Sequence, residues 1–260
     1  MATSDRMLLI ALTEQLNGLT AAVADLRETQ RGIERRLESI EAGVESNRKA
    51  ANAIARTSYA QVEDLLALYR SVGADGPLPR MRDFAAGPEI VRFLFDEVVA
   101  RGGAQVLECG SGTTTVVLAH AMRSLGAGHV TALEHEPHYA AQTRADIADR
   151  GLGEWATVVD APLTDVHLNG EAWRWYDTAD LADGEVDLLL VDGPPQKTGP
   201  QARYPALPVL APRLAKGALV VLDDADRPDE RAITARWAAE FPEFDAERLQ
   251  HDRGTVLLRR

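Results

Sequence analysis

Cysteine and surplus positive charge are scarce in this sequence. Its 260 residues include one cysteine, Cys109, which excludes an internal disulfide and a cysteine-rich zinc site. Acidic residues number 40 against 28 lysine and arginine residues, so the net charge is −12. A surface this acidic repels phosphate backbones. We therefore expect no nucleic-acid partner.

Long apolar runs are absent as well. No stretch of 18 consecutive apolar residues occurs, and this predicts that the chain has no membrane span. The first ten residues lack the basic start and long apolar run of a secretory signal. Together with the single cysteine, these features predict a cytoplasmic location.

The N-terminal part carries a seam of mostly apolar residues at alternating steps of three and four. Its members are Leu9, Leu12, Leu16, Leu19, Val23, Leu26, Gln30, Ile33, Leu37, Ile40, Val44, Asn47, Ala51 and Ile54. A 3.5-residue repeat of this length is typical of a left-handed coiled coil. We predict an oligomerisation helix over residues 1–57 that joins two or three chains. The alternative is an amphipathic helix that folds back onto its own globular domain.

The rest of the chain alternates strand-like and helix-like segments. Residues 58–83 are predicted to form a linker helix and a lid, and residues 84–260 a globular domain. Strands are predicted at 105–109, 129–134, 156–160, 186–192 and 218–223, with a closing hairpin at 244–250 and 255–259. Repeated strand–helix units predict an α/β, Rossmann-like doubly wound sheet. We expect seven strands, mostly parallel, with an antiparallel last strand.

Carboxylates follow five of the predicted strands. They are Glu108, Glu134, Asp160, Asp192 and the pair Asp223–Asp224. Any one of them could cap the following helix. Five together favour a shared pocket, because ligands of doubly wound sheets bind outside the carboxyl ends of the strands.

A glycine turn, Gly110-Ser111-Gly112, follows the first strand and allows a ligand to approach the backbone closely. Glu134 comes 22 residues after Gly112 and suits the two hydroxyls of a ribose, since a carboxylate only accepts hydrogen bonds. The pattern fits either NAD or S-adenosylmethionine. Thr115, at the third glycine position of a dinucleotide site, and the C-terminal hairpin count against NAD.

Five segments in sequence order resemble the motifs of class I S-adenosylmethionine-dependent methyltransferases. They are VLECGSGTTT, TALEHEP, VVDAPL, VDLLLVDGPP and LAKGALVVLDD. The resemblance implies S-adenosylmethionine as cofactor and assigns roles by position. Glu108, Gly110, Ser111, Gly112 and Thr113 would hold the methionine portion. Glu134 would bind the ribose beside His135, Asp160 and Ala161 would meet the adenine, and Asp192 would lie near the methyl group.

Asp192, Asp223 and Asp224 also suggest a metal site. Three carboxylates suit Mg²⁺, which would hold acceptor hydroxyls and lower their pKa. The arrangement resembles metal-dependent sugar and catechol O-methyltransferases. However, Pro194 occupies the position at which the sugar-modifying relatives have an aspartate that acts as the catalytic base. The alternative is that Asp223 and Asp224 cap the next helix.

Two basic residues of the loop after the fourth strand, Lys197 and Arg203, are candidates for binding a polar or anionic acceptor. Arg203 could equally pair with a strand-end carboxylate. The predicted catalytic residues are Lys197 and Arg203 together with Asp192 and Asp223. The preferred hypothesis is that the protein is an O-methyltransferase acting on a hydroxyl of a sugar, glycan or natural product, in polysaccharide or natural-product biosynthesis. An NAD-dependent oxidoreductase and a non-catalytic coiled-coil scaffold stay open as alternatives.

Overall fold

A computed structural model describes residues 2–73, 76–81 and 85–260, with side chains from Arg6 onward. The chain divides into two compact units, Met1–Ser58 and Tyr59–Arg260. Four residues of the predicted lid, Ala74, Asp75, Arg82 and Asp83, lie outside the described residues.

The first element is a single long helix, α1, over Ala2–Val72. No proline precedes Pro77, so nothing interrupts its backbone hydrogen bonds, and the helix ends at Gly73 in a left-handed conformation (φ +59°). The two helices expected from the sequence are therefore one. Every leucine, isoleucine and valine of the seam from Leu9 to Ile54 is exposed on this chain.

Helix α1 also bears on the membrane prediction. Within Arg6–Val72, an 18-residue window reaches a mean hydropathy of 1.4, and none of it is buried. Among the described residues, this is the one helix that could span a membrane by length and composition. Signal sequences and core helices of soluble proteins pass the same test. The absence of a membrane span and the cytoplasmic location remain predictions.

The second unit contains a seven-stranded sheet in the order β3-β2-β1-β6-β7-β9-β8. The strands are β1 Gln105–Cys109, β2 His129–Glu134, β3 Ala156–Asp160, β6 Val186–Val191, β7 Leu214–Leu222, β8 Asp245–Leu249 and β9 Thr255–Arg259. Only β9 runs antiparallel to its neighbours β7 and β8. The predicted Rossmann-like, mostly parallel sheet with an antiparallel last strand is confirmed.

Helices cover both faces of this sheet. They are α2 Pro88–Arg101, α3 Thr113–Leu125, α4 Pro137–Asp149, α5 Ala206–Leu210 and α6 Pro228–Glu240. Val106 of β1 packs in one cluster with residues of α2, α3 and α4. Leu107 and Cys109 pack in the other cluster with residues of α5 and α6. Successive strand residues thus face opposite layers, which explains the continuous apolar runs of the strands.

Two local features differ from what the sequence patterns indicate. The segment between the third and fourth predicted strands contains a hairpin of β4 Leu163–Leu168 and β5 Glu171–Tyr176. Asn169 and Gly170 form its turn, both with positive φ, a sequence signal that was overlooked. The sequence favours a helix over residues 204–214, but prolines 205, 208 and 212 shorten α5 to Ala206–Leu210, and β7 already begins at Leu214.

Candidate active site

Strand register brings the predicted residues to one edge of the sheet. Asp160 pairs with Glu134 at the ends of β3 and β2. Cys109, at the end of β1, pairs with Leu133 of β2 and with Val191 of β6. Val191 pairs in turn with Leu222 of β7. The residues that follow these strands therefore form a continuous rim along the carboxyl edge.

The glycine turn opens between β1 and α3. Gly110 (φ +109°) and Gly112 (φ +152°) adopt conformations that side chains disfavour. The Gly110 N–H donates to the Leu133 carbonyl at 2.9 Å, which ties the turn to β2. A side chain at Gly112 would meet nothing within 4 Å, so the space above the turn is open. Thr113 donates to the Arg80 carbonyl at 3.1 Å, which connects the turn to the predicted lid.

Glu108 is a deeply buried carboxylate of the rim. Thr115 Oγ1 donates to Glu108 Oε2 at 2.6 Å and accepts from the Gly112 N–H at 3.0 Å. Burial raises the pKa of Glu108 to about 8; the Thr115 hydrogen bond opposes this rise, and the charges of Asp192 and Glu134 add to it. The sequence indicated Thr115 only as a position at which a dinucleotide site has glycine. In the structure, Thr115 positions both the glycine turn and the Glu108 carboxylate.

Hydrogen-bond donors and an imidazole surround the Glu134 carboxylate. Ser111 Oγ donates to Oε2 at 3.1 Å, the Glu136 N–H donates to Oε1 at 2.9 Å, and His135 Nδ1 lies 3.1 Å from Oε1. Burial alone would raise the pKa of Glu134, but the neighbouring imidazole and these donors outweigh it and lower the pKa. Ser111 also exchanges a hydrogen bond with Thr143 at 3.1 Å.

Three other predicted residues lie at the margins of this group. Asp160 is 67% exposed and pairs with Arg144 at 2.8 Å. Ala161 is buried, and its N–H donates to the Glu134 carbonyl at 2.7 Å. Lys197 is exposed, and its Nζ lies 3.6 Å from Glu136. Lys197 thus contacts the end of β2, whereas the aspartates with which it was grouped follow β6 and β7.

Asp192, Asp223 and Asp224 meet as predicted, each offering one oxygen within 4.8 Å of the others. The Arg203 side chain, only 4% exposed, lies among them. Its Nη2 donates to Asp192 Oδ1 at 3.2 Å and to Asp224 Oδ2 at 3.0 Å. Asp224 adopts a left-handed conformation (φ +56°), a sparsely populated region for a residue other than glycine. The structure thus favours the pairing of Arg203 with the strand ends.

This arrangement does not fit a bound Mg²⁺. The ion needs near-octahedral oxygen ligands at about 2.1 Å. Here Arg203 Nη2 contacts both Asp192 and Asp224, and Asp224 also faces Arg227 at 2.9 Å and Arg253 at 3.5 Å. A metal would have to displace a buried guanidinium. The Mg²⁺ site indicated by the sequence therefore stays a prediction.

Asp223 differs from its two neighbours because it lines a cavity. The side chain is buried, and Oδ2 has no hydrogen-bond partner among the described residues. Burial, followed by the charge of Asp224, raises the pKa of Asp223. The pKa of Asp192 is raised to about 7 by burial and by the charge of Asp223.

The cavity beside Asp223 has a volume of about 250 Å³. Met81, Ala85, Gly87 and Ile90 form part of its wall. Its polar lining consists of Gln61, Glu89, Asp223, His251, Asp252 and Arg253. Ligand pockets usually measure about 300–1,000 Å³, so this cavity suits a small group rather than a large ring system. Sequence patterns did not indicate it, because its lining comes from α1, the α2 entrance, β7 and the β8–β9 turn.

Comparisons with known proteins agree with this geometry. Residues 107–225 match a family model described as a methyltransferase domain. No curated protein matches the chain by sequence. The fold is similar to that of the SAH-bound methyltransferase PaMTH1 from Podospora anserina, with 17% identity, a TM-score of 0.56, and coverage of 80% of this chain and 95% of that one.

Two further crystal structures share the fold. Cofactor-bound Rv0187 from MTB is 24% identical, with a TM-score of 0.51 and coverage of 77% and 89% of the two chains. An O-methyltransferase from Bacillus cereus in complex with SAH is 17% identical, with a TM-score of 0.51 and coverage of 77% and 90%. The family match over residues 107–225 and the observed fold agree with the resemblance stated above: this part of the chain matches a methyltransferase domain, and its sheet has the fold of known methyltransferases.

Proposed function

We propose that this protein transfers a methyl group from S-adenosylmethionine to a hydroxyl of a small acceptor. The observation that carries this proposal is the convergence of Glu108, Glu134 and Asp192 beside the glycine turn. The pKa of Glu108 is raised in part by the charges of the other two, which places negative potential at one spot. A cation relieves that potential, and the cofactor carries a sulfonium and an ammonium group.

The rim offers a place for each part of the cofactor. The ionised Glu134 accepts the ribose hydroxyls, with His135 beside it. The open space above Gly112 and the turn from Gly110 to Thr113 receive the methionine portion, with Glu108 behind it. Asp160 and Ala161 lie on the β3 side, where the adenine ring would extend.

The acceptor would enter the cavity beside Asp223. When bound, the cofactor supplies an electrophilic methyl group on sulfur. Asp223 would take the proton of the acceptor hydroxyl. The methyl group would pass to that oxygen, and the sulfur of the cofactor would keep the electrons of its broken bond to carbon. Asp192 follows β6, which lies between β1 and β7 in the sheet, so it would help to align the two reactants.

A sugar, glycan or natural-product hydroxyl is the acceptor we favour, because six polar side chains line the cavity. We expect methylation of hydroxylated acceptors in a mixed panel, detected by mass spectrometry. Turnover of a nicotinamide cofactor instead would favour the oxidoreductase alternative. Cofactor binding without any turnover would favour the scaffold.

Calorimetry with S-adenosylmethionine tests the cofactor site. Glu134→Gln is expected to weaken binding by about 10- to 100-fold, because a charged acceptor for the ribose hydroxyls is lost. Glu154→Gln, an exposed substitution of the same kind, serves as the matched control and is expected to bind normally. No heat of binding for the wild type at millimolar cofactor would refute the proposed function.

We also propose that α1 joins two or three chains. The exposed seam supports this, since about 25 cal/mol is gained per Å² of apolar surface buried. Ile40→Glu, on the seam, is expected to shift the particle to monomer mass in light scattering. Ala42→Glu, which lies off the seam by heptad position, adds the same charge and is expected to leave the mass unchanged. Equal behaviour of the two variants would argue against the coiled coil.

A further inference from the structure

We propose that Arg203 takes the position of a divalent cation at the acceptor site, so that this protein methylates its acceptor without a metal. The inference deepens the proposed function and rests on it for the identity of the reaction. The side chains concerned are those of Asp192, Asp223, Asp224 and Arg203.

The first argument is the placement of the guanidinium. Arg203 Nη2 donates to the carboxylates of both Asp192 and Asp224, and also to the Asp192 carbonyl at 2.6 Å. Nη1 donates to the Asp223 carbonyl at 3.0 Å. One planar group therefore joins the ends of β6 and β7, the same strand ends that a metal would join. A guanidinium suits this task because it stays charged and its donors are rigidly spaced.

The second argument is the balance of charge. Four carboxylates, from Asp192, Asp223, Asp224 and Glu230, lie with guanidinium groups of Arg203, Arg227 and Arg253. Asp224 alone faces all three guanidinium groups. The three guanidinium groups neutralise most of the carboxylate charge, so a divalent ion would gain little attraction here. The ion would also displace Arg203, which would be left buried without partners.

The third argument concerns the remaining carboxylate. Asp223 receives no contact from Arg203 at its side chain; the bond is to its backbone carbonyl. Arg203 thus fixes the strand end, while Asp223 Oδ2 has no hydrogen-bond partner among the described residues and Asp223 lines the cavity. We assign Arg203 as a positioning residue that neutralises Asp192 and Asp224 and orients Asp223.

Mn²⁺ binding provides a readout that is independent of activity. In electron paramagnetic resonance titrations, the wild-type protein is expected to leave Mn²⁺ free up to millimolar concentration. Arg203→Met, which keeps an unbranched apolar stem and removes the charge, is expected to bind one Mn²⁺ per chain at least tenfold more tightly than the wild type, since the carboxylates are then uncompensated. Arg227→Met removes a different guanidinium from Asp224 and is expected to behave like the wild type.

A stoichiometric Mn²⁺ site in the wild type that is lost in Asp223→Asn would overturn the proposal. So would a folded Arg203→Met variant that binds no Mn²⁺. If that variant does not fold, the wild type decides: methyl transfer unchanged by EDTA supports the proposal, and loss of transfer restored by Mg²⁺ refutes it. Calorimetry with S-adenosylmethionine distinguishes these outcomes from a failure of the proposed function, because binding of the cofactor is measured in the absence of any metal.

Discussion

Asp223→Asn is expected to lower kcat by about 10²- to 10⁴-fold, the usual contribution of a general base. Asparagine has the same shape as aspartate but does not accept a proton at neutral pH. Asp223 lines the cavity, and its buried Oδ2 has no hydrogen-bond partner among the described residues, so the substitution disturbs few existing contacts. Steady-state assays at saturating cofactor measure the effect.

The pH profile distinguishes loss of a base from misfolding. A base acts in its deprotonated form, so the wild-type kcat is expected to rise as pH increases through the pKa values of Asp192 and Asp223. Burial raises both, that of Asp192 to about 7. In Asp223→Asn this rise is expected to flatten, while cofactor affinity is kept. Asp245→Asn, an exposed substitution, is the matched control. An unchanged kcat in Asp223→Asn would remove Asp223 from the reaction.

Glu108→Gln is expected to stabilise the ligand-free protein at pH 8 and to weaken cofactor binding tenfold or more. Burial raises the pKa of Glu108 to about 8, above its value in the unfolded chain. The folded state therefore holds the proton more tightly, and its stability falls as pH rises from about 5 to 8. Each unit of pKa shift corresponds to about 1.4 kcal/mol, so the glutamine variant avoids a cost of a few kcal/mol.

Thermal melts at pH 5 and pH 8 measure this effect. The melting temperature of the wild type should fall over that range, and that of Glu108→Gln should change less. At pH 8 the variant is expected to melt about 5 °C or more above the wild type. Calorimetry should also show proton release when S-adenosylmethionine binds, since a cation beside Glu108 lowers its pKa. Tighter cofactor binding by the variant would contradict the assigned role of Glu108.

The predicted strands and the order of the motifs required no tertiary information. The apolar runs of β1, β2, β3 and β6 and the glycine turn after β1 are local patterns, and parallel register then brings Glu108, Glu134 and Asp192 to one edge. The β4–β5 hairpin was also within reach, since Asn169–Gly170 is a local turn signal.

Other features depend on contacts between distant segments. The partners of Arg203 depend on the path of a loop, and sequence spacing did not distinguish pairing with a strand-end carboxylate from binding of the acceptor. The same holds for the cavity, whose lining is drawn from four separate segments. Sequence by itself determined which residues end the strands, because hydrophobic periodicity and turn chemistry act over a few residues. Only the tertiary structure decided which charges neutralise one another, because electrostatic pairing depends on distance in space.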